Sequence, residues 1–321
     1  IIKYFGEDAI IAKECEIAYN ATLMALLWEA VATKNAKLLD QGLRSLPDKL
    51  DRATWLNYAR CHDDIGLGFD DADIAKAGYD PYAHRRFLVD YFTGAYDGSS
   101  ARGQPFGRNE KTGDARISGS LASLAGLETA LESGDEKAIQ NSIDVILLLH
   151  SLIMSFGGIP LLWYGDEIGT LNDRNFLQDE FKAKDSRWIH RPRIDWEKAA
   201  MRQRHGSVEQ RIFMGLQKMI AVRKSTPAFA DYNNRTLIHT GNPHLFVFIR
   251  NNPFQLNDSV LVVGNFDAMP QSLTLSDLSN RGHFEFGGLR DLYSGQSPAQ
   301  FKDHLVVPPY RFYWLTDPTH Y

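Results

Sequence analysis

Cysteine is scarce in this sequence, with only Cys15 and Cys61 in 321 residues. Two thiols cannot make a disulfide framework, and their spacing matches no metal-ligand pattern. A basic excess is also missing. The chain sets 35 Lys and Arg against 40 Asp and Glu, a formal charge of −5, whereas nucleic acid or an anionic membrane would favour a clustered basic face. Neither is expected as a partner. Ile1 to Ala9 show no basic stretch followed by an apolar core, so no signal peptide is visible there. Internal repeats and low-complexity tracts are absent. From Val145 to Tyr164 there is no Asp, Glu, Lys or Arg, but Gly157, Gly158 and Pro160 break the stretch and His150 lies in its first part. It reads as a buried helix followed by a buried strand rather than a bilayer span.

What is present is an ordinary globular balance, 44% hydrophobic and 23% charged residues, enough for a sizeable core. Cys15 to Tyr19 favours a strand, and the apolar spacing at Leu23, Leu26, Leu27, Ala30 and Val31 predicts a helix capped by Asn20 or Thr22. Trp55 to Arg60 reads as a second strand, ending in Cys61-His62-Asp63-Asp64. A Gly-, Asp- and Arg-rich region from Phe69 to Ser118 is too long for a simple loop and predicts an insertion with elements of its own. Helical spacing returns at Leu121, Leu124 and Leu127 and again from Ala138 to Phe156. GGIPLLWYGDEIG then reads as a buried strand ending at Asp166 and Glu167, which are expected to orient the following loop. A helix marked by Ile212, Leu216 and Met219 stops at Pro227. Alternating strands and helices with apolar strands predict a parallel sheet or barrel. Beyond Phe229, short β-rich runs divided by turns such as Gly241-Asn242-Pro243 predict an antiparallel sandwich.

In parallel α/β folds, functional groups gather at the carboxyl ends of strands. The His62-Asp63-Asp64 run there has three readings from the residues alone. It is a solvated strand end, the His-Asp pair of a metal-dependent phosphohydrolase, or a sugar site whose carboxylate stabilises charge at an anomeric carbon. The metal reading requires a helix and further His and Asp ligands, and the sequence supplies neither.

The longer string WLNYARCHDDIG resembles the end of the seventh barrel strand in the α-amylase family, glycoside hydrolase family 13. GIPLLWYGDEIGTLND resembles the eighth strand, DSRWIHRPRIDW the stretch after it, and the β-rich tail that family's C-terminal domain. With YDGSSARGQPF and TGDARISG in the insertion, the chain resembles amylosucrases and related sucrose hydrolases in particular. The resemblance implies an α/β fold: the C-terminal part of a (β/α)8 TIM barrel with an inserted subdomain, followed by an antiparallel β-sandwich domain. Its boundaries are 1–64 for a barrel segment, 65–118 for the insertion, 119–229 for the remaining barrel segment and 230–321 for the β domain.

The resemblance also implies an activity: moving glucose from sucrose onto an α-1,4-glucan with release of fructose. Sucrose and the glucan acceptor are the implied partners, with no cofactor, no metal, no nucleic acid and no membrane. His62 and Asp63 correspond to transition-state stabilisers. Asp64 corresponds to a residue near the fructosyl unit. Arg187 corresponds to an arginine whose salt bridge seals the pocket floor, with its carboxylate partner expected from outside this sequence, while Arg85 and Arg116 correspond to insertion arginines contacting the fructosyl unit or acceptor. Trp55 and Trp163 are expected in the core. Two departures stand out, Cys61 for the usual Ser or Asn and Leu67 for a common Trp, the latter expected to alter the pocket rim. No stretch resembles the GxRxD motif of the nucleophile or the strand-ending Glu of the acid/base. The chain, which also begins without Met, is therefore expected to be the later part of a longer enzyme and inactive alone. A hydrolase of the same family and a non-catalytic carbohydrate-binding homologue are the alternatives.

Overall fold

The computed structural model describes residues 15–46, 52–230, 235–252, 255–279 and 288–317. Expectations touching 1–14, 47–51, 231–234, 253–254, 280–287 and 318–321 lie outside the described residues. Strand β1 (Ile17–Tyr19) leads at Asn20 into helix α1 (Ala21–Thr33). The Asn20 side chain accepts the Leu23 N–H at 3.1 Å and donates to Asn57 at 2.9 Å, capping the helix and fixing it to the next strand. Helix α2 (Lys37–Ser45) precedes β2 (Thr54–Tyr58). This strand ends two residues before Arg60 because the Ala59 carbonyl is taken by the Trp28 indole N–H at 2.8 Å, leaving it outside the ladder.

The insertion has its own elements, as its length required. These are α3 (Asp71–Lys76), α4 (Pro81–Phe92) and the antiparallel strands β3 (Gln104–Phe106) and β4 (Arg116–Ser118). Ile117 and Ile65 exchange backbone hydrogen bonds at 2.8 and 2.9 Å, which laces this pair of strands to the chain leaving β2. Helices α5 (Leu121–Leu124) and α6 (Leu127–Ser133) divide what the leucine spacing suggests as one helix. The break is at Gly126, whose φ is +90° and where a Cβ would run into the Ser100 hydroxyl. Helix α7 (Glu136–Ser155) and strand β5 (Ile159–Leu161) follow. The helix is long and apolar enough to cross a membrane, but 83% of its apolar window is buried in the protein. It is a core helix, ended where the glycines predict.

Strands β1, β2 and β5 form one parallel sheet in that order, with Leu56 opposite both Tyr19 and Ile159. Parallel neighbours need long crossovers, supplied here by α1 and α2 and then by the insertion with α5 to α7. Helices α8 (Trp196–Ala200) and α9 (Val208–Ser225) complete this part.

Strands β6 (Arg235–Ile238), β7 (Leu245–Asn252), β8 (Gln255–Asn265) and β9 (Gln271–Thr274) come next, followed by α10 (Ser276–Ser279) and β10 (Arg290–Asp291) to β13 (Phe312–Thr316), with β11 (Gln300–Phe301) and β12 (His304–Val307) between them. They make antiparallel sheets in the orders β10-β13-β8-β7-β6 and β11-β12-β9. Side chains alternate across a strand. Leu245, Val247 and Ile249 of β7 and Leu261 and Val263 of β8 therefore face the three-stranded sheet through Leu273 and Leu305. Phe246, Phe248, Val260, Val262 and Trp314 instead join the large core with α7 residues such as Leu148 and Leu152. The antiparallel part thus has one core of its own and shares the other with the helices.

Gly158, between α7 and β5, has φ +101°, and a Cβ there would meet the Trp55 carbonyl oxygen. Gly158→Ala should destabilise the chain by about 2 kcal/mol or more, from strain at that φ and the backbone clash. Gly66→Ala, with open space around the position, should stay within about 0.5 kcal/mol. Urea unfolding of the two variants beside the parent checks both, and equal midpoints for all three would contradict this account of the turn.

Candidate functional site

The chain leaving β2 turns sharply at Cys61–Asp64, and the turn is held from beneath. Arg60 is fully buried. It donates to the Gly119 carbonyl at 2.9 Å and the Asp63 carbonyl at 2.8 Å, joining the turn to the end of the insertion. His190, also buried, accepts the Gly119 N–H at Nδ1 (3.2 Å) and places Nε2 at 3.2 Å from the His62 carbonyl. Burial, and then the Arg60 charge, push its imidazole down to about 2, so it serves as a neutral bridge whose Nε2 also lies 3.1 Å from the Arg60 guanidinium. Arg191 adds a 2.7 Å bond to the same His62 carbonyl. The Cys61 thiol, buried, accepts the Asp63 N–H at 3.4 Å, so cysteine does here what a hydroxyl could do.

On this turn stand His62, exposed to solvent, Asp63, half exposed, and Asp64, buried. Arg187 reaches Asp63 at 2.8 Å and lies 4.0 Å from Asp64. It also grips Asp185 through Nε and Nη2 at 2.8 to 3.2 Å. Asp185 caps the one-turn helix Ser186–His190 by accepting the Arg187 N–H at 3.0 Å, which brings two side chains only two residues apart onto the same side. Among the described residues Arg187 is paired with Asp63 and with Asp185, which the helix cap turns toward the guanidinium, two partners the sequence reading did not foresee.

The two adjacent aspartates shift in opposite directions. Burial alone would raise Asp63, but hydrogen bonds from Arg187 and from the Asp64 N–H outweigh it and hold the carboxyl down at about 2. Asp64 is raised, first by burial and then by Asp63 beside it, with Arg116 opposing. Arg116 pairs with Asp64 at 3.3 Å. Phe106 lies between the two arginines, its ring centre 4.5 Å from the Arg116 guanidinium and 4.6 Å from that of Arg187, within cation–π range.

His62, Asp63, Asp64, Arg116 and Arg187 are therefore brought together. Arg85 is not. It bonds to the carbonyls of Leu67, Phe69 and Pro81 at 2.6 to 3.3 Å and to Asp71 at 2.6 Å, so its guanidinium ties the loop after the turn to α4. Leu67 is buried in the large core rather than at a rim. Trp163, expected in the core, is partly exposed, its ring centre 6.0 Å from that of His62, because its indole N–H turns toward the His190 carbonyl at 3.4 Å. Glu167 accepts the Gly165 N–H at 2.8 Å, the loop-orienting part expected of it. Asp166 is fully buried and raised well above the ordinary range by desolvation. It lies 4.0 Å from the equally buried His150, which burial lowers to about 4, and the Arg60 charge opposes the rise in Asp166. Sequence reading missed Arg60, Asp185, His190 and Phe106, although all four lie within the quoted motifs.

No family model matches the chain. Trehalose synthase/amylase TreS of Mycobacterium tuberculosis (strain CDC 1551 / Oshkosh) is 23% identical over 347 residues, taking in 100% of this chain and 50% of that protein. The chain thus spans about half the length of this curated relative. Glucosylglycerate phosphorylase of Escherichia coli (strain K12) is 25% identical over 243 residues, 74% of this chain and 38% of that protein. Among solved structures, AmyP in complex with maltose superimposes with a TM-score of 0.58 at 15% identity, over 97% of this chain and 52% of that one. The parallel sheet β1-β2-β5 fits a segment of the (β/α)8 barrel of such structures. None of these three proteins is an amylosucrase. The solved structure shares the fold, and the two curated relatives are similar over most or all of this chain, in line with the resemblance to the α-amylase family carried by the motifs.

Proposed function

We propose that the chain carries the sugar-gripping part of a retaining glucosyltransferase of amylosucrase type, which moves glucose from sucrose onto an α-1,4-glucan and releases fructose. The observation that carries the reading is Asp63. Its carboxylate is kept ionised by Arg187 and the Asp64 N–H, yet it stays half exposed at the end of a parallel strand. A fixed negative charge of this kind stabilises the positive charge that grows at an anomeric carbon, and it costs no reorganisation as the reaction proceeds. On this reading Asp63 also accepts hydrogen bonds from glucosyl hydroxyls, and His62, unencumbered at the surface, donates to another. Arg187 braces Asp63 from the Asp185 side. Asp64 and Arg116 stand one step outward, toward the fructosyl unit or the acceptor, and Phe106 keeps the two guanidinium groups apart. The nucleophile Asp and the acid/base Glu of a double displacement have no matching motif in these 321 residues; the reading assigns them to residues outside the sequence. Arg85 is retained only as support for the loop above the turn.

The likeness to trehalose synthase/amylase over the whole chain favours a second reading, in which the same site rearranges a glucose disaccharide and trehalose is the product. The enzyme expressed from its full reading frame should be given sucrose and, separately, maltose. Fructose from sucrose with growth of a glucan supports the first reading. Trehalose from maltose without fructose from sucrose would replace it with the second. The 321-residue chain alone should release no fructose, since charge stabilisation cannot substitute for a nucleophile and an acid, whose loss removes several orders of magnitude in rate.

Two variants separate the roles. Arg187→Ala in the full enzyme should lower fructose and glucose release together by about 100-fold or more. Arg116→Ala should change the ratio of free glucose to glucan more than it changes sucrose consumption, because the acceptor binds after fructose has left. The reverse pattern would undo the two assignments.

Arg187→Ala should also move the Asp63 titration upward from about 2 to about 3.9 or higher, since desolvation remains and the cation is gone. A carboxyl lowered in the folded state adds stability above its unfolded pKa, and loses it as pH falls through the folded value. The parent therefore loses the Asp63 contribution between roughly pH 4 and 2, and the variant has none to lose there. Carboxyl-carbon NMR titration reads the shift directly, and an unmoved Asp63 would refute the part given to Arg187.

A further inference from the structure

Away from the carboxylates, a recess of about 190 Å³ opens where three parts of the chain meet: α4 with the residues after it, the α6–α7 pair, and the turn between β12 and β13. Junctions between parts of a fold are common places for small-molecule sites. No Asp, Glu, Lys, Arg or His lines this one. A charged ligand would be desolvated there without a partner for its charge, so the occupant must be neutral. The lining is nevertheless polar. It presents the phenol rings of Tyr91 and Tyr310 and the side chains of Ser100, Thr129, Asn141 and Ser142.

These groups are unevenly satisfied. The Thr129 and Ser142 hydroxyls donate to the Ser100 and Ala138 carbonyls at 2.7 and 3.0 Å, and each oxygen can still accept. The Tyr91 and Tyr310 hydroxyls and the Asn141 amide have no hydrogen-bond partner among the described residues. These three groups are partly exposed at the recess and so are free to bond to whatever enters it. The backbone is also specialised. Tyr310 sits at φ 54°, in the left-handed region that favours glycine, so its ring is held at the recess against the preference of its own backbone. Across from it, Gly126 leaves room for Ser100 that any side chain would take.

We propose that this recess binds a neutral sugar ring, such as a glucosyl unit of a glucan, against the faces of Tyr91 and Tyr310, with its hydroxyls shared among Asn141, Thr129 and Ser142. A sugar ring has apolar C–H faces and a rim of donors and acceptors, which suits paired aromatic rings and amphoteric hydroxyls. Nothing in the recess depends on His62, Asp63 or Arg187, so the site stands apart from the proposed reaction centre.

The test uses the complete chain with Asp63→Ala, which removes sugar binding at the turn, and isothermal titration with maltotriose. One binding event should remain. Tyr310→Gly, which removes the ring while giving the position the residue its φ prefers, should weaken that event at least tenfold without lowering the melting temperature. Asn141→Leu should act in the same direction. Glucose 6-phosphate should compete at least tenfold less well than glucose, because the lining has no cation. Absence of maltotriose binding in the Asp63→Ala chain at tens of millimolar, or binding unchanged by both Tyr310→Gly and Asn141→Leu, would overturn the proposal. Neither result would touch the reading of Asp63. Conversely, an enzyme that leaves sucrose intact but binds maltotriose through Tyr310 would remove the proposed reaction and leave this site standing.

Discussion

The arrangement of the site depends on one buried cation. Arg60 lies in the interior with its guanidinium shared between the carbonyls of Gly119 and Asp63, and fixed acceptors together with the nearby Asp166 and Asp64 carboxyls make a charge there tolerable. In return it dictates where three segments meet. The turn after β2, the residue that follows the insertion and the loop bearing His190 all converge on it. Without that convergence Asp63 and Arg187, separated by more than a hundred residues in the chain, would have no common geometry.

Environment, not residue type, separates the two aspartates that follow. Asp63 and Asp64 are neighbours with the same intrinsic acidity, yet one faces a guanidinium and solvent and the other faces the interior. Like charges so close disfavour each other's ionisation. Arg187 holds Asp63 in its ionised form, and Asp64 pairs with Arg116 on the other side.

Much of the frame was legible in the sequence. The helix cap at Asn20, the core helix broken at Gly157, the parallel strand before the carboxylates and the β-rich tail followed from periodicity and turn residues, which report local geometry. Side-chain partners were less legible. Nothing in the string DSR says that Asp185 folds back onto Arg187, since this depends on a one-turn helix formed in context. Phe106 is an unremarkable residue until β3 and β4 carry it between two arginines. Arg85 carries a charge but no direction, and its use by three carbonyls became visible only when the loop after the turn was placed. Trp163 reads as core because strands with tryptophan usually are, and here the strand ends just before it.

The shared core between α7 and the C-terminal sheet also bears on how the chain is made. Translation delivers α7, an apolar helix of membrane-spanning length, well before β7, β8 and β13, whose Phe246, Phe248, Val262 and Trp314 join its core. Between those two moments the ribosome holds a nascent chain whose most apolar segment lacks its cover, the state in which aggregation competes best with folding. Production of the protein is thus governed by the interval between the emergence of α7 and that of its final strand, so that slow elongation through the C-terminal third and scarce chaperone both act on the same exposed helix.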